Sequence, residues 1–204
     1  MIWFTSDMHL GHEKALDFTC RPWNQIDEMN EGIIANINEK VKENDELYIL
    51  GDYSFKITAL EAAALRKKIY CKKVHLVPGN HDKDWNNKLV QGTFVVEQPI
   101  TVLKIDGRKY VLSHFPMADW QSMSHESIHL HGHIHNEGSL YNEMNRMQGL
   151  YRYDVGVDAN GYSPVSMEEI LAWFDGVECR GRVKWKDWVD ETGDKRVRRK
   201  LAGL

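Results

Sequence analysis

The stretch VHLVPGNHD, residues 74–82, joins a short apolar run to a polar turn. Residues 74–77 are mostly apolar and β-branched, which is typical of a buried strand. A Pro-Gly pair then ends this run and opens a turn. The turn carries three polar side chains: Asn80, His81 and Asp82. The stretch therefore predicts a strand that delivers polar groups at its carboxyl end.

Two earlier stretches repeat this arrangement. Residues 2–6 form a β-branched and aromatic run that leads into Asp7-Met8-His9. Residues 47–50 form an apolar run that leads into Gly51-Asp52. Each run has the length and composition of a strand, so three strands are predicted to end in potential metal-binding side chains.

Predicted helices separate these strands. Between residues 27 and 43, apolar side chains recur at every fourth position, as on one face of a helix: Met29, Ile33, Ile37 and Val41. Thr58 and Glu61 have the spacing of a capping box, which predicts a second helix ending near Tyr70. The order β–α–β–α–β predicts an α/β fold with parallel strands. Open sheets of this kind bind ligands beyond the carboxyl ends of their strands.

The second half of the chain predicts a series of closely spaced strands. They fall at residues 94–96, 100–105, 109–113, 128–131 and 154–157. Asp106-Gly107 predicts a tight hairpin turn between two of them. Two others lead into His114 and into Gly132-His133-Ile134-His135. Ser166 and Glu169 form a second capping box, which predicts the last helix of the core.

The composition is that of one globular domain. The 204 residues are 42% apolar and 27% charged, with a formal net charge of −4, which excludes disorder of the whole chain. The longest apolar runs are far shorter than the ~18 residues of a membrane span, and no secretory signal is visible. The three cysteines, Cys20, Cys71 and Cys179, lack metal-type spacing. We therefore expect a cytoplasmic protein without a membrane partner.

The side chains at the five strand ends are carboxylates, an amide and imidazoles, all of which are ligands of first-row metals. Each motif alone has an ordinary explanation as a turn, a polar loop or a structural histidine, but all five follow strands in order. Asp7 and His9 are two residues apart, so an extended segment points both to one face. Seven such groups exceed the needs of one tetrahedral ion. They suit two ions about 3.5–4 Å apart, which together stabilise the attacking and the leaving oxygen in a displacement at phosphorus.

This ordered set of motifs resembles the calcineurin-like metallophosphoesterase superfamily. It is also similar to the purple acid phosphatases and to the double-strand-break repair nuclease of that group. The match runs from Asp7 to His135, and the predicted elements to about Phe174 fit the minimal, cap-free version. The resemblance implies a four-layer α/β/β/α sandwich of two mixed sheets flanked by helices, with a dinuclear site on their common edge.

The resemblance also implies which side chains bind metal. Seven of them would hold two divalent ions: Asp7, His9 and His135 at one, Asn80, His114 and His133 at the other, and Asp52 bridging both. A hydroxide between the metals would be the nucleophile, because bound metal lowers the pKa of water. Mn²⁺ is the leading metal, with Fe, Zn or Ni as alternatives.

Further polar residues receive roles from the same resemblance. His81 would be the catalytic histidine that contacts the phosphate and protonates the leaving oxygen, and Asp82 would orient it. Asn80 would also contact the substrate. His12 could reach the substrate phosphate or serve a structural role.

One departure from the family pattern narrows the range of expected substrates. The common second motif reads Gly-Asp-x-x-Asp-Arg, whereas residues 51–56 read Gly-Asp-Tyr-Ser-Phe-Lys. The missing Asp and Arg weaken a protein-phosphatase assignment more than they weaken metal binding. The short chain leaves little room for a specificity cap, so we expect a phosphodiester or a small phosphomonoester. His129 and His131 precede the glycine turn, and we expect them to support the ligands or to lie in the core.

We predict a phosphoesterase domain over residues 1–175 and a basic extension over 176–204 that is part of this domain or packs on it. The extension has nine Lys/Arg against five Asp/Glu, which is typical of a solvated tail or terminal hairpin. Two alternatives to the enzyme remain. The extension could bind nucleic acid, with Trp185 and Trp188 stacking on bases. A metal-binding scaffold without catalysis is disfavoured, because all seven ligands and His81 are present.

Overall fold

The computed structural model describes residues 1–135 and 140–179. Within these ranges nine strands are present: β1 (Ile2–Thr5), β2 (Glu46–Ile49), β3 (Lys73–Leu76), β4 (Val95–Val96), β5 (Ile100–Ile105), β6 (Arg108–Ser113), β7 (Ile128–His131), β8 (Arg152–Asp154) and β9 (Val165–Ser166). The helices of the same ranges are α1 (Lys14–Phe18), α2 (Ile26–Lys40), α3 (Ala59–Arg66), α4 (Leu140–Met147) and α5 (Met167–Trp173). Short 3₁₀ turns lie at Met123–His125 and Val157–Ala159.

The strands form two mixed sheets. The first has the order β4-β3-β2-β1-β9, in which β9 is antiparallel to β1 and the other pairs are parallel. The second has the order β5-β6-β7-β8, in which β5 and β6 form an antiparallel hairpin and the other pairs are parallel. The parallel pairs direct the carboxyl ends of their strands to one edge of each sheet.

Two apolar cores hold the layers together. In β2, Leu47 and Ile49 face the core that includes Ile33 and Ile37 of α2, while Tyr48 faces the second sheet. This alternation follows from the two-residue period of a strand. On the outer side of the second sheet, α4 packs against β8. The fold is the four-layer sandwich of two mixed sheets and flanking helices that the sequence predicts.

Both predicted capping boxes are confirmed. The Thr58 hydroxyl accepts a hydrogen bond from the Glu61 amide at 3.2 Å, and the Glu61 carboxylate accepts one from the Thr58 amide at 2.7 Å. Ser166 and Glu169 make the same reciprocal pair at the start of α5, at 3.0 and 2.6 Å. Each box pairs amides that a helix start leaves without intrahelical partners.

The strand predicted over 154–157 is present but lies earlier in the chain, as β8 (Arg152–Asp154). β8 ends at Asp154, because the Asp154 carboxylate accepts a hydrogen bond from the Gly156 amide at 2.8 Å and turns the chain. Helix α4 was not predicted, since it buries Asn142 and Asn145 and exposes Met144 and Met147. This reverses the usual amphipathic pattern. The short elements α1 and β9 were also not predicted.

The basic extension predicted over 176–204 is described only as far as Cys179. The described part packs on the core between the sheets, where the Tyr151 hydroxyl donates to the Val177 carbonyl at 2.7 Å. Trp185 and Trp188 lie outside the described residues, so nucleic-acid binding by the extension stays a prediction. Among the described residues, none of the helices combines the length and the apolar character needed to cross a bilayer.

Candidate metal centre

The carboxyl ends of strands from both sheets meet at one edge. Ser6, directly after β1, forms a bridge with Gly156, which follows β8. The backbone amide of His133, after β7, donates to Asp7 Oδ2 at 2.9 Å. The two sheets therefore bring side chains that are 126 residues apart in the chain into one site.

Asp7, His9 and His135 form the first cluster of potential metal ligands. His9 Nε2 lies 3.1 Å from His135 Nε2, and His135 Nε2 lies 3.8 Å from Asp7 Oδ1. His9 and Asp7 are almost completely buried, while the His135 side chain is partly exposed. One oxygen and two nitrogens thus converge on one point at the edge of the site.

The second cluster joins Asn80, His114 and His133. His114 Nε2 lies 2.9 Å from Asn80 Oδ1 and 3.2 Å from His133 Nδ1. The other ring nitrogen of His114, Nδ1, lies 2.8 Å from the Leu50 carbonyl. Because a carbonyl can only accept, Nδ1 carries the proton and Nε2 turns a lone pair into the site.

Asp52 lies between the clusters. Its Oδ2 is 3.5 Å from His9 Nε2 in the first cluster and 3.5 Å from His114 Nε2 in the second. Its Oδ1 accepts a hydrogen bond from the His81 amide at 2.9 Å, which fixes the orientation of the carboxylate. The structure thus brings all seven side chains with an expected metal role to one site and puts Asp52 in its centre.

The residues fit divalent metal ions. Asp7 Oδ1 is buried and has no hydrogen-bond partner among the described residues. His135 Nδ1 donates to Asp158 Oδ2 at 2.9 Å, so the neutral His135 ring turns the lone pair of its Nε2 towards His9. Burial lowers the pKa of His9 to about 2, so its imidazole is neutral and able to bind metal at any physiological pH.

The backbone at the site adopts conformations that side chains rarely take. The φ angle is +57° at Asp7, +49° at His9, +54° at Asp52, +74° at His133 and +45° at His135. Left-handed φ is uncommon for residues other than glycine, and such strain gathers at functional sites. Gly79 lets the backbone lie close to the Asp52 carboxylate, and Gly132 lets it lie close to the Asp7 carboxylate. A Cβ at either position would collide with that carboxylate.

Asp82 has a different role from the one expected. We expected it to orient the His81 imidazole, but its carboxylate accepts hydrogen bonds from the backbone amides of Asp52, Tyr53 and Gly79, at 2.8, 3.1 and 2.8 Å. Three converging amides outcompete a single imidazole for these two oxygens. Asp82 therefore ties the turn after β2 to the turn after β3.

His81 lies beside the clusters. Its ring is half-buried, with its centroid 5.6 Å from that of His9 and 4.2 Å from that of Phe55. His12 is also adjacent: its ring centroid is 5.5 Å from that of His9, and its buried Nδ1 has no partner among the described residues. Both side chains therefore border the expected metal ligands.

His129 and His131 are fully buried in β7. The Met117 amide donates to His129 Nε2 at 3.0 Å, and His131 Nδ1 lies 2.9 Å from the Gly132 carbonyl. Burial lowers the pKa of His129 to about 4 and that of His131 to about 3. Both are neutral core histidines that support the strand carrying the ligand turn.

Sequence reasoning missed Arg21 and Asp158. The Arg21 guanidinium binds both Asp158 oxygens, at 2.9 and 3.0 Å, and donates to the backbone carbonyls of Asp7 and Met8. Asp158 accepts from His135, and this bond with the Asp7 charge raises the pKa of His135 although burial opposes it. The only local signal in the sequence was that Asp158 directly follows the strand predicted over 154–157. Its pairing with Arg21 could not be predicted, because the two residues are 137 positions apart in the chain.

The fold and this cluster of potential ligands are those of an α/β protein with a candidate metal site at the shared edge of its sheets. Residues 1–159 match the family described as calcineurin-like phosphoesterase. The chain therefore belongs to the calcineurin-like phosphoesterase family, and it is a metal-dependent phosphoesterase.

The chain is also similar to two proteins in sequence and to a third in structure. The uncharacterized protein MJ1445 of Methanocaldococcus jannaschii is 26% identical over 171 residues, which cover 83% of this chain and 89% of the relative. The gene 66 protein of Mycobacterium phage L5 is 27% identical, and the match covers 82% of this chain and 91% of the phage protein. A protein of unknown function from Aquifex aeolicus, AQ665, has the same fold, with a TM-score of 0.66, 24% identity and coverage of 84% of this chain and 98% of its own.

Proposed function

We propose that this protein is a dinuclear-metal phosphoesterase that hydrolyses a phosphodiester or a small phosphomonoester. The observation that carries this proposal is the position of Asp52, whose Oδ2 is equally distant from a histidine of each cluster, 3.5 Å from both. A carboxylate between two sets of ligands suits two cations, because it can share its charge between them.

The proposed ligands divide as the resemblance implies. Asp7, His9 and His135 would hold one ion, and the second would be held by Asn80, His114 and His133. When bound, two divalent ions lower the pKa of water and neutralise charge on the phosphoryl oxygens. The mixed oxygen and nitrogen donors suit Mn²⁺, with Fe, Zn or Ni as alternatives.

The chain's own side chains complete the proposed chemistry. His81 would protonate the leaving oxygen, since its ring borders His9 without belonging to either cluster. Asp82 supports this role through the backbone, because it fixes the turn that carries Asn80 and His81. His12 and Asn80 would contact the substrate phosphate from the two sides of the site.

A matrix of metals and substrates tests the proposal. Metal-free protein is loaded separately with Mn²⁺, Fe²⁺, Zn²⁺ or Ni²⁺, and each form is assayed with bis-p-nitrophenyl phosphate, p-nitrophenyl phosphate and cyclic nucleotides. We expect metal-dependent hydrolysis that a chelator abolishes and Mn²⁺ restores. Metal-loaded, folded protein that hydrolyses none of these esters would contradict the proposal.

A further inference from the structure

Two half-exposed phenylalanines flank the metal centre. Phe18, at the end of α1, is 51% exposed, and Phe115, directly after the ligand His114, is 48% exposed. Large apolar side chains with this exposure are ordinary when scattered singly over a surface. These two differ because each packs against the proposed metal ligands.

The two rings lie against different clusters. The Phe18 ring centroid is 5.4 Å from that of His135 and 6.4 Å from that of His9, both in the first cluster. The Phe115 ring centroid is 4.5 Å from that of His133 and 5.0 Å from that of His114, both in the second cluster. A phosphorus atom bound between the clusters would therefore have an aromatic ring on each side.

The Phe18 side also has room for a substituent of substantial size. His12, whose ring centroid is 5.6 Å from that of Phe18, lines a cavity of about 800 Å³. Its walls combine apolar side chains such as Ile57 and Leu65 with three lysines and three carboxylates. This volume is within the range of small-molecule sites, so a group attached to phosphorus has room on this side of the site.

We propose that Phe18 and Phe115 select a phosphodiester that carries a nucleoside on each side of phosphorus, as in a single-stranded nucleic acid. This inference rests on the proposed phosphoesterase function and names its substrate class. A monoester would leave one of the two rings unused, whereas a diester presents one group to each. Flat bases stack on aromatic side chains irrespective of sequence. The protein should therefore prefer single-stranded nucleic acid without preferring a particular base sequence.

Paired diesters test the inference. Bis-p-nitrophenyl phosphate and ethyl p-nitrophenyl phosphate share a leaving group, but the second lacks one ring. Stacking of one ring is worth about 5- to 150-fold in affinity, so we expect the wild-type KM to be lower for the two-ring diester by a factor in this range. Phe18→Leu and Phe115→Leu keep an apolar side chain without a π face, and each should bring the ratio of the two KM values towards one.

Restoration and control variants exclude a packing effect. Phe18→Tyr and Phe115→Tyr retain the ring and should restore the wild-type ratio at equal metal content. Tyr70→Leu removes an aromatic ring that is 69% exposed and lies outside the site, and it should leave the ratio unchanged. A single-stranded thymidine oligonucleotide should compete with bis-p-nitrophenyl phosphate more strongly than glycerol phosphate does, and Phe→Leu at either position should weaken that competition.

The outcomes separate this inference from the proposed function. Wild-type protein that hydrolyses neither these diesters nor p-nitrophenyl phosphate contradicts the proposed function. Hydrolysis of p-nitrophenyl phosphate alone overturns the diester selection and leaves the phosphoesterase assignment in place. Wild-type protein that hydrolyses both with equal KM, or whose ratio survives both Phe→Leu changes, overturns the aromatic selection and leaves the phosphoesterase assignment in place. Competition by the oligonucleotide no stronger than by glycerol phosphate would overturn the nucleoside assignment.

Discussion

Single side chains at this site act through partners that are far away in sequence. The link from Arg21 to Asp158 to His135 is made of charged hydrogen bonds of 2.9–3.0 Å in the interior of the fold. The Arg21 side chain also binds the backbone carbonyls of Asp7 and Met8. One buried guanidinium thus sets both the first ligand turn and, through Asp158, the tautomer of His135.

Replacing Asp158 with Asn should weaken binding at the first cluster. An amide stabilises the His135 proton donor less than a carboxylate does, and loss of such a partner typically costs about 10–100-fold in metal affinity. Because the pKa of His135 is raised above 6.5 in the wild type, protons compete with metal there, and affinity should fall as the pH decreases through that raised value. We expect a lower pKa for His135 in Asp158→Asn, so the metal affinity of this variant should begin to decline at a lower pH. Calorimetric titration with Mn²⁺ across pH measures both effects, and identical titrations for the two proteins would argue against the link.

Replacing His81 with Ala should keep both metals and slow hydrolysis by about 10²–10⁴-fold, since the proposed role of His81 is to donate a proton and not to bind an ion. The loss should be greatest for alkyl esters, which are poor leaving groups, and smaller for a nitrophenyl ester. The exposed His125 provides the control, and His125→Ala should behave as wild type. Equal rates for His81→Ala and wild type on an alkyl ester, at equal metal content, would remove the proton-donor role.

At the scale of elements, the site depends on hydrogen bonds between the turns that follow the strands. Asp82 holds the turn after β2 and the turn after β3 together through three backbone amides. The sequence predicted these strands and turns, because short apolar runs followed by Gly-Asp and Gly-Asn have a strong local signal. It did not predict where the Asp82 carboxylate points, which depends on a turn 30 residues away. For the same reason α4 was missed, since its two buried asparagines are explained only by their tertiary partners, such as the Asp154 backbone.

Replacing Asp82, whose carboxylate links the two turns, should reduce the stability of the protein. In Asp82→Asn, one acceptor oxygen becomes a donor that faces backbone amides, so at least one amide loses its partner. We expect the free energy of unfolding to fall by about 1–3 kcal/mol. Urea denaturation of the metal-free proteins measures this value without a contribution from bound metal. A stability equal to that of wild type would show that this link between the turns is not needed.

At the scale of the whole molecule, two mixed sheets form the support and their shared edge forms the site. Every proposed ligand precedes residue 136, and α5 with Val177 closes the core between the sheets. The sequence predicted this architecture through its resemblance to a family, while strand pairing between distant segments, such as β1 with β9, left no local signal. The activity towards small esters should therefore reside in the described part of the chain.

A protein that ends at residue 179 should fold and hydrolyse a small diester at the wild-type rate. It retains the bond between Tyr151 and Val177. A protein that ends at residue 175 loses this bond and should melt at a lower temperature. Thermal melts and diester assays compare the three lengths, and a folded protein of 179 residues without diester hydrolysis would give the extension a direct role in catalysis.

The metal content of Asp52→Asn tests the two-ion centre most directly. The substituted side chain keeps one oxygen that can accept from the His81 amide, as Asp52 Oδ1 does at 2.9 Å, and it loses the Oδ2 charge between the clusters. The exposed Asp17 gives a control, since Asp17→Asn removes the same charge outside the site. We predict two Mn²⁺ ions per chain in wild type and in Asp17→Asn, and fewer than one in a folded Asp52→Asn protein. Two tightly bound ions in Asp52→Asn, or a single ion in wild type, would contradict the bridged centre.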